Sequence, residues 1–208
     1  MFASWYQKGR SSRDTLERPV HPGSDSIILG LMEAGRNRRD IDKSVIEDLG
    51  FRIGLWNGAR EEGHAASLDV TCGLFAKNIN LGNWVVLNLP EILGDLEKKE
   101  PALQALVAVV KAWSPEWAGI ISRPSRNTRP FTPGFPFVDW MIYLNCLNIV
   151  PSRLPSSASF VEVDDQGGVV ITQDVPVDAN DQIHVQNVQA VEFAIAAVAQ
   201  GYRMPKLF

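Results

Sequence analysis

Hydrophobic and polar residues alternate in three segments of the chain, which is the pattern of half-buried β-strands. The three segments are 51–56, 66–75 and 84–89. Asn57-Gly58 stands directly after the first segment and favours a tight turn, because both residue types tolerate positive φ. Pro90 closes the third segment. These signals predict an antiparallel meander of three strands.

Helical spacing and capping residues mark segments on both sides of this meander. The predicted helices are a short one capped by Ser11, Ser12 or Asp14, 27–34 capped by Asp25 or Ser26, 42–49 ended by Gly50, one between Glu100-Pro101 and Ser114-Pro115, and 181–200 ended by Gly201. The inward-facing residues predicted for the last helix are Val185, Val188, Val191, Phe193, Ile195 and Val198.

The remaining segments complete the prediction of the fold. Segment 117–122 is typical of a short buried strand, and 123–137 of an irregular loop, since it holds four prolines. Segment 139–147 is apolar and fits a helix or a strand, whereas 159–163 and 169–173 flank a glycine turn and predict a hairpin. The order of elements predicts an α+β fold, a largely antiparallel sheet packed with several helices. We expect a single domain over 1–208, with a helical N-terminal part at 1–50 and the sheet with its packing helices at 51–208.

The amino-acid composition limits the classes of protein to which the chain can belong. The chain has 208 residues, of which 45% are hydrophobic and 21% charged, and these values are those of a globular domain. The first residues show no apolar run after their charge, so no secretion signal is recognised. No segment reaches the ~18 apolar residues of a membrane span. Two cysteines are too few for a disulfide scaffold, and we expect a soluble, cytoplasmic protein.

Charge is distributed unevenly along the chain. The formal net charge is −4, yet residues 1–60 hold ten Lys/Arg and eight Asp/Glu, whereas 61–208 hold ten and sixteen. Between residues 154 and 202 there are seven acidic residues and no Lys or Arg. Such a segment repels nucleic acid and attracts a basic partner. The alternative interpretation is a solvated face that keeps the protein soluble.

Residues that could build an active site are scattered. His21, His64 and His184 lie far apart in the sequence and show no metal-ligand spacing. Cys72 and Cys146 stand in apolar segments, where structural thiols are expected. No phosphate-binding loop, nucleophile elbow or zinc-protease motif is present. We therefore predict no enzyme activity, no cofactor and no metal site.

Two further interpretations of individual side chains stay open. A hydrolase would need His64 with Glu61 or Glu62 in a concave pocket beside a nucleophile. The six tryptophans are expected to be mostly core residues, with one or two available as interface anchors.

Several segments in a fixed order resemble a known family. They are Trp5-Tyr-Gln-Lys-Gly-Arg10, Gly35-Arg-Asn-Arg-Arg-Asp40, Leu49-Gly-Phe-Arg-Ile-Gly-Leu-Trp-Asn-Gly58, Val70-Thr-Cys-Gly73, Val85-Val-Leu-Asn-Leu-Pro90, Trp113-Ser-Pro-Glu-Trp117 and Val138-Asp-Trp-Met-Ile-Tyr-Leu144. Their order and composition resemble the bacterial polymorphic-toxin immunity protein 52 family over most of the chain. Asp139 stands where members tend to have glycine, and members usually carry a further strand and helix before the first of these segments.

The resemblance implies a binding protein rather than an enzyme. Members of the family are antidotes to a toxin, often a restriction-endonuclease-like nuclease delivered by a type VI secretion system, and they act in the cytoplasm. A cognate toxin is then the expected partner, with no nucleic acid, membrane or small-molecule substrate. Two alternatives are a chaperone or adaptor that loads the effector, and binding that disturbs the toxin's assembly or fold. The acidic residues expected to face a basic toxin are Asp164, Asp165, Asp174, Asp178 and Asp181.

Overall fold

The computed structural model describes residues 4–21, 23–74, 82–131, 135–146, 149, 151–163 and 167–199. The chain forms two compact units, Met1–Leu93 and Gly94–Phe208. The fold class is α+β with antiparallel sheets, as the sequence predicts. The boundary between the units follows the three-strand meander. The single domain expected over 1–208, with its parts at 1–50 and 51–208, stays a prediction.

One antiparallel sheet organises the described part of the N-terminal unit. Its strands are β1 (Trp5–Gln7), β2 (Pro19–Val20), β3 (Leu49–Trp56), β4 (Ser67–Leu74) and β5 (Trp84–Asn88), in the order β2-β1-β3-β4-β5. The helices are α1 (Ser12–Leu16) and α2 (Asp25–Ala34). The predicted meander is confirmed as β3-β4-β5. Sequence patterns did not predict β1 and β2, because three and two residues are too short to show an alternation.

A small core holds this unit together. Leu31 of α2 and Leu55 of β3 are buried with Val20, and partly buried Ile27 and Ile53 pack against them. Burial of these side chains places α2 against one face of the sheet.

The helix predicted over 42–49 is wrong. Val45 forms an isolated bridge with Arg38, and β3 already begins at Leu49. The Asn37 amide donates a 2.7 Å hydrogen bond to the carbonyl of Leu49, and this bond holds the start of β3 against residue 37. Gly50 has φ +55° within the strand, and a Cβ there would lie 2.0 Å from the Cys72 carbonyl oxygen. Its role is therefore close backbone packing between β3 and β4 rather than ending a helix.

A second antiparallel sheet organises the described part of the C-terminal unit. Its strands are β6 (Trp117–Ile120), β7 (Met141–Leu144), β8 (Ser159–Val163) and β9 (Gly167–Ile171), in the order β6-β7-β9-β8. The helices are α3 (Lys99–Trp113), α4 (Arg123–Thr128) and α5 (Gln182–Ala199), with 3₁₀ turns at Gly94–Glu97 and Pro151–Arg153. None of the helices within the described residues is long and apolar enough to cross a membrane.

The core of this unit is built on the two central strands. All four residues of β7 are buried, and since successive side chains point to opposite faces, both faces of the sheet are covered there. Leu106 and Val110 of α3 join this core, together with Val188 and Ile195 of α5. The apolar segment that fitted a helix or a strand is therefore a strand.

The structure corrects two further predictions in this unit. The proline-rich loop contains α4, which begins after Ser122 because the Ser122 hydroxyl accepts from the Ser125 N–H at 3.2 Å. Phe193 is 87% exposed, since it lies about 200° around the helix from Val191 and from Ile195, both of which are buried. Trp140 is a core residue as expected, and Trp113 of this unit and Trp84 of the N-terminal unit are the two exposed tryptophans among the described residues. The side chain of Val198, residue Gly201 and the turn at 164–166 lie outside the described residues.

Candidate binding surface

Three of the five acidic residues predicted from the sequence lie in one connection of the C-terminal unit. Asp174 and Asp178 lie in the segment that joins β9 to α5, and Asp181 immediately precedes α5. Asp164 and Asp165 fall outside the described residues. The side chain of Asp174 is 85% exposed, and that of Asp181 is 43% exposed.

This connection is fixed to the core by buried hydrogen bonds. The indole N–H of Trp140 donates to the Gln173 carbonyl at 3.0 Å, and the Thr172 N–H donates to the Trp140 carbonyl at 2.9 Å. The Asn187 amide of α5 donates to the side chain of Gln173 at 3.1 Å. The acidic residues therefore project from a segment whose backbone is held at both ends.

Two of the carboxylates also shape the backbone locally. Asp178 Oδ1 accepts from the N–H of Asn180 at 2.9 Å. Asp181 Oδ1 accepts from the N–H of Ile183 at 2.8 Å, so it caps the N-terminus of α5. The Asp178 N–H in turn donates to Nδ1 of His184 at 3.1 Å. Negative charge at this end of α5 is compatible with the helix dipole.

Part of the negative charge of the acidic segment is compensated by ion pairs in the folded protein. Lys99 of α3 pairs with Asp174 at 2.6 Å, and this hydrogen bond raises the pKa of the lysine. Arg129 pairs with Glu192 of α5. Within the described ranges, no lysine or arginine lies at ion-pair distance from Asp178 or Asp181. The acidic character that remains is thus concentrated at the N-terminal end of α5.

A buried carboxylate lies elsewhere in the same unit. Asp139 is fully buried, and its Oδ2 accepts from the Ser122 N–H at 2.6 Å. Its Oδ1 has no hydrogen-bond partner among the residues that the structure describes. Burial raises the pKa of Asp139, although the Ser122 N–H opposes this. The only sign of this burial in the sequence is that apolar residues stand on both sides of Asp139.

Arg129 neutralises part of this buried charge and connects α4 to α5. Its Nη1 donates to the Val138 carbonyl at 2.7 Å, and its Nη2 donates to the Glu192 carboxylate. The guanidinium also lies 4.7 Å from the centre of the Phe137 ring. Burial raises the pKa of Glu192, and the charge of Arg129 lowers it. Arg129 has a structural role, because its guanidinium is engaged with Val138, Glu192 and Phe137.

The geometry around His64 gives the hydrolase alternative no support. His64 Nε2 is 3.8 Å from Glu61, whose side chain is 85% exposed, and the His64 side chain is itself 44% exposed. The tight turn predicted at Asn57-Gly58 is wrong, because the longer connection 57–66 joins β3 to β4. Asn57 has a structural role in it: its amide donates to the His64 carbonyl at 3.0 Å and accepts from the Ala66 N–H at 3.0 Å. Within the described residues, no group of three or more His, Cys, Asp or Glu could hold a metal ion.

The sequence pattern did not lead us to predict one exposed surface, which lies on α5. Ile183, Gln186, Ala190 and Phe193 are exposed on α5, and their spacing of three or four residues places them along one side of the helix. We call these four residues the outer face of α5. The signal available in the sequence was the scarcity of charge, since Glu192 is the only charged residue between Gln182 and Ala199.

Comparison with known proteins identifies the family of the chain. No curated protein matches the chain. The family model of Immunity protein 52 matches residues 1–200, which is nearly the whole chain and includes both compact units. The chain therefore belongs to the Immunity protein 52 family.

Proposed function

We propose that this immunity protein neutralises a nuclease toxin in the cytoplasm by direct protein–protein contact, and that the toxin is delivered by a type VI secretion system. Membership of the family implies a cognate toxin as partner. The charge of the candidate surface supports the nuclease class. A nuclease that binds DNA needs a basic surface, and a basic surface is attracted to exposed carboxylates.

The observation that carries this proposal is the acidic N-terminal end of α5. Asp178 and Asp181 have no lysine or arginine partner among the described residues, and Asp174 is exposed beside its single partner Lys99. Because the connection is held to the core, the carboxylates are presented without a large ordering cost on binding. Asp164 and Asp165, which the sequence also predicts as toxin contacts, lie outside the described residues and are included in the test below.

Two modes of neutralisation are compatible with this contact. The acidic surface could cover the DNA-binding surface of the nuclease and exclude its substrate. Alternatively, the protein binds a different part of the toxin and disturbs its assembly or fold. Dependence of affinity on salt distinguishes the two, since the first mode joins oppositely charged surfaces.

Charge reversal tests the acidic contact. The variant Asp164→Lys, Asp165→Lys, Asp174→Lys is expected to weaken toxin binding on the order of tenfold or more at low salt and to flatten its salt dependence. A matched control reverses three exposed acids of the N-terminal unit, Glu61, Glu62 and Glu91, and changes the net charge equally. Affinity should be measured by titration calorimetry at several salt concentrations.

The control decides how the result is interpreted. Loss of affinity in the first variant alone supports the acidic contact. Equal loss in both variants would reduce the effect to net charge, and unchanged affinity in the first variant would contradict the acidic contact. A complex that forms without protecting cells would indicate a loading factor instead of an antidote.

A further inference from the structure

We propose that the outer face of α5 is the apolar centre of the toxin contact, with Phe193 as its main anchor and with Asp178 and Asp181 in its charged rim. This inference rests on the proposed function, because it names the part of the immunity protein that the toxin covers. The partner that it requires is a basic protein surface containing an apolar recess.

The geometry of α5 separates a core side from an outer side. Val188, Val191 and Ile195 are buried in the core of the C-terminal unit. On the other side, Phe193 is 87% exposed and Ile183 is 66% exposed. At ~1.5 Å rise per residue these two side chains stand about 15 Å apart along the helix. The outer face is therefore an extended strip with a large apolar side chain at each end.

The chemistry of this strip differs from that of an ordinary solvated helix face. Exposed helix faces normally carry charged residues that favour solubility. The two residues between Ile183 and Phe193 on this strip are Gln186 and Ala190. Glu192, the only charged residue of the helix, is engaged with Arg129. Depletion of charge together with an exposed aromatic residue is typical of the centre of a protein interface.

Acidic residues adjoin one end of the strip and identify its occupant. Asp181 caps the helix through the N–H of Ile183, so carboxylate and apolar side chain are adjacent. Asp178 and the 52% exposed Val175 lie in the connection just before it. An apolar centre with a carboxylate rim complements an apolar recess flanked by lysine or arginine. A second copy of α5 would bring no lysine or arginine to these carboxylates, since Gln182–Ala199 contains none.

Truncation of the anchor tests this inference. Phe193→Ala is expected to raise the Kd for the purified cognate toxin about 30-fold or more, because centrally placed aromatic residues dominate interface energetics. Ala190→Glu should weaken binding by introducing a charge into the strip, while glutamate preserves the helix. The matched control is Leu29→Ala, which removes an apolar side chain that is 63% exposed on α2 of the N-terminal unit. Its Kd should stay at the wild-type value.

The outcomes separate the inference from the proposed function. Wild-type affinity of both Phe193→Ala and Ala190→Glu, with a wild-type protein that binds and protects, would overturn the inference and leave the function intact. A wild-type protein that neither binds nor protects would contradict the proposed function itself. A toxin-free dimer that Phe193→Ala converts to a monomer would show a second copy on the strip and would also overturn the inference. Thermal unfolding of each variant verifies that it is folded.

Discussion

Replacing Arg129 by methionine removes the cation that joins α4 to α5. The substitution keeps most of the apolar stem of the side chain and deletes its hydrogen bonds. The Val138 carbonyl and the Glu192 carboxylate each lose a donor. Asp139, which is fully buried nearby, loses the positive charge that lowers its pKa. We expect the C-terminal unit to be destabilised.

The magnitude follows from three contacts. The charge-assisted bond to the Val138 carbonyl contributes about 1.5 kcal/mol. The contact of the guanidinium with the Phe137 ring contributes about 0.5 kcal/mol, because Arg129 keeps some exposure to solvent. The ion pair with Glu192 is discounted to about 1 kcal/mol, since 42% of that side chain is exposed. Arg129→Met should therefore lower the free energy of unfolding by about 3 kcal/mol.

A double-variant cycle isolates the ion pair. Glu192→Gln alone should cost about 1 kcal/mol, and the double variant should cost less than the sum of the two by about the same amount. Hydrogen exchange followed by mass spectrometry over β7 and β9 is the suitable assay. Two compact units can unfold in separate steps, and segment-resolved exchange reports the stability of each.

The result that would refute this reasoning is equally specific. A loss below about 1 kcal/mol in Arg129→Met, with no coupling to Glu192→Gln, would mean that solvent replaces the arginine without penalty. The contacts to Val138 and Phe137 would then be geometric neighbours without energetic weight.

Three other predictions test local features of the fold. Gly58→Ala should destabilise the N-terminal unit by about 2–4 kcal/mol in urea unfolding, because φ is +77° and a Cβ would lie 2.6 Å from the Tyr6 ring. Gly23→Ala, at φ +91° and with no described atom beyond its chain neighbours within 4 Å of the added Cβ, should cost only about 1 kcal/mol, and equal losses would exclude the clash. Burial raises the pKa of Asp139, so its contribution to stability falls as pH rises from about 4 through that raised value. Asp139→Asn should flatten the dependence of unfolding free energy on pH, and an unchanged slope would contradict the assignment. Asp181→Ala should cost about 1 kcal/mol and speed amide exchange in the first turn of α5, whereas unchanged exchange would deny its role as a cap.

Sequence patterns predicted the elements whose two faces differ in environment. The alternation in β3 and β4 was sufficient for both strands and their antiparallel pairing. It could not identify β7, because four consecutive buried residues carry no period, and an apolar run fits a helix or a strand equally. The class of such a segment is decided by what covers its faces, and that is a property of the whole unit.

The false helix at 42–49 has a different physical cause. Apolar spacing there was weak, and the interpretation depended on Gly50 as a helix end. In the structure Lys43 adopts φ +58°, which breaks a right-handed helix, and Asn37 bonds the backbone at Leu49. A tertiary hydrogen bond thus outweighed local propensity.

The sequence predicted which acidic residues belong to the candidate surface. It did not predict which of them are paired with a basic residue. Sequence identified Asp174, Asp178 and Asp181 as members of an acidic segment, and the described backbone places them on one connection. The partner of Asp174 is Lys99, which lies 75 residues earlier and could not be matched to it from spacing. Exposure of Phe193 was misjudged because it was assigned to the core together with Val191 and Ile195, although the helical period places it about 200° from both.

Co-expression with the cognate toxin tests the central claim most directly. Cells producing the toxin alone and cells producing both proteins should be compared for survival, and the lysate should be resolved by size-exclusion chromatography. We predict restored survival and a stable stoichiometric complex. Toxicity that persists in the presence of this protein, with no complex formed, would contradict its role as the antidote.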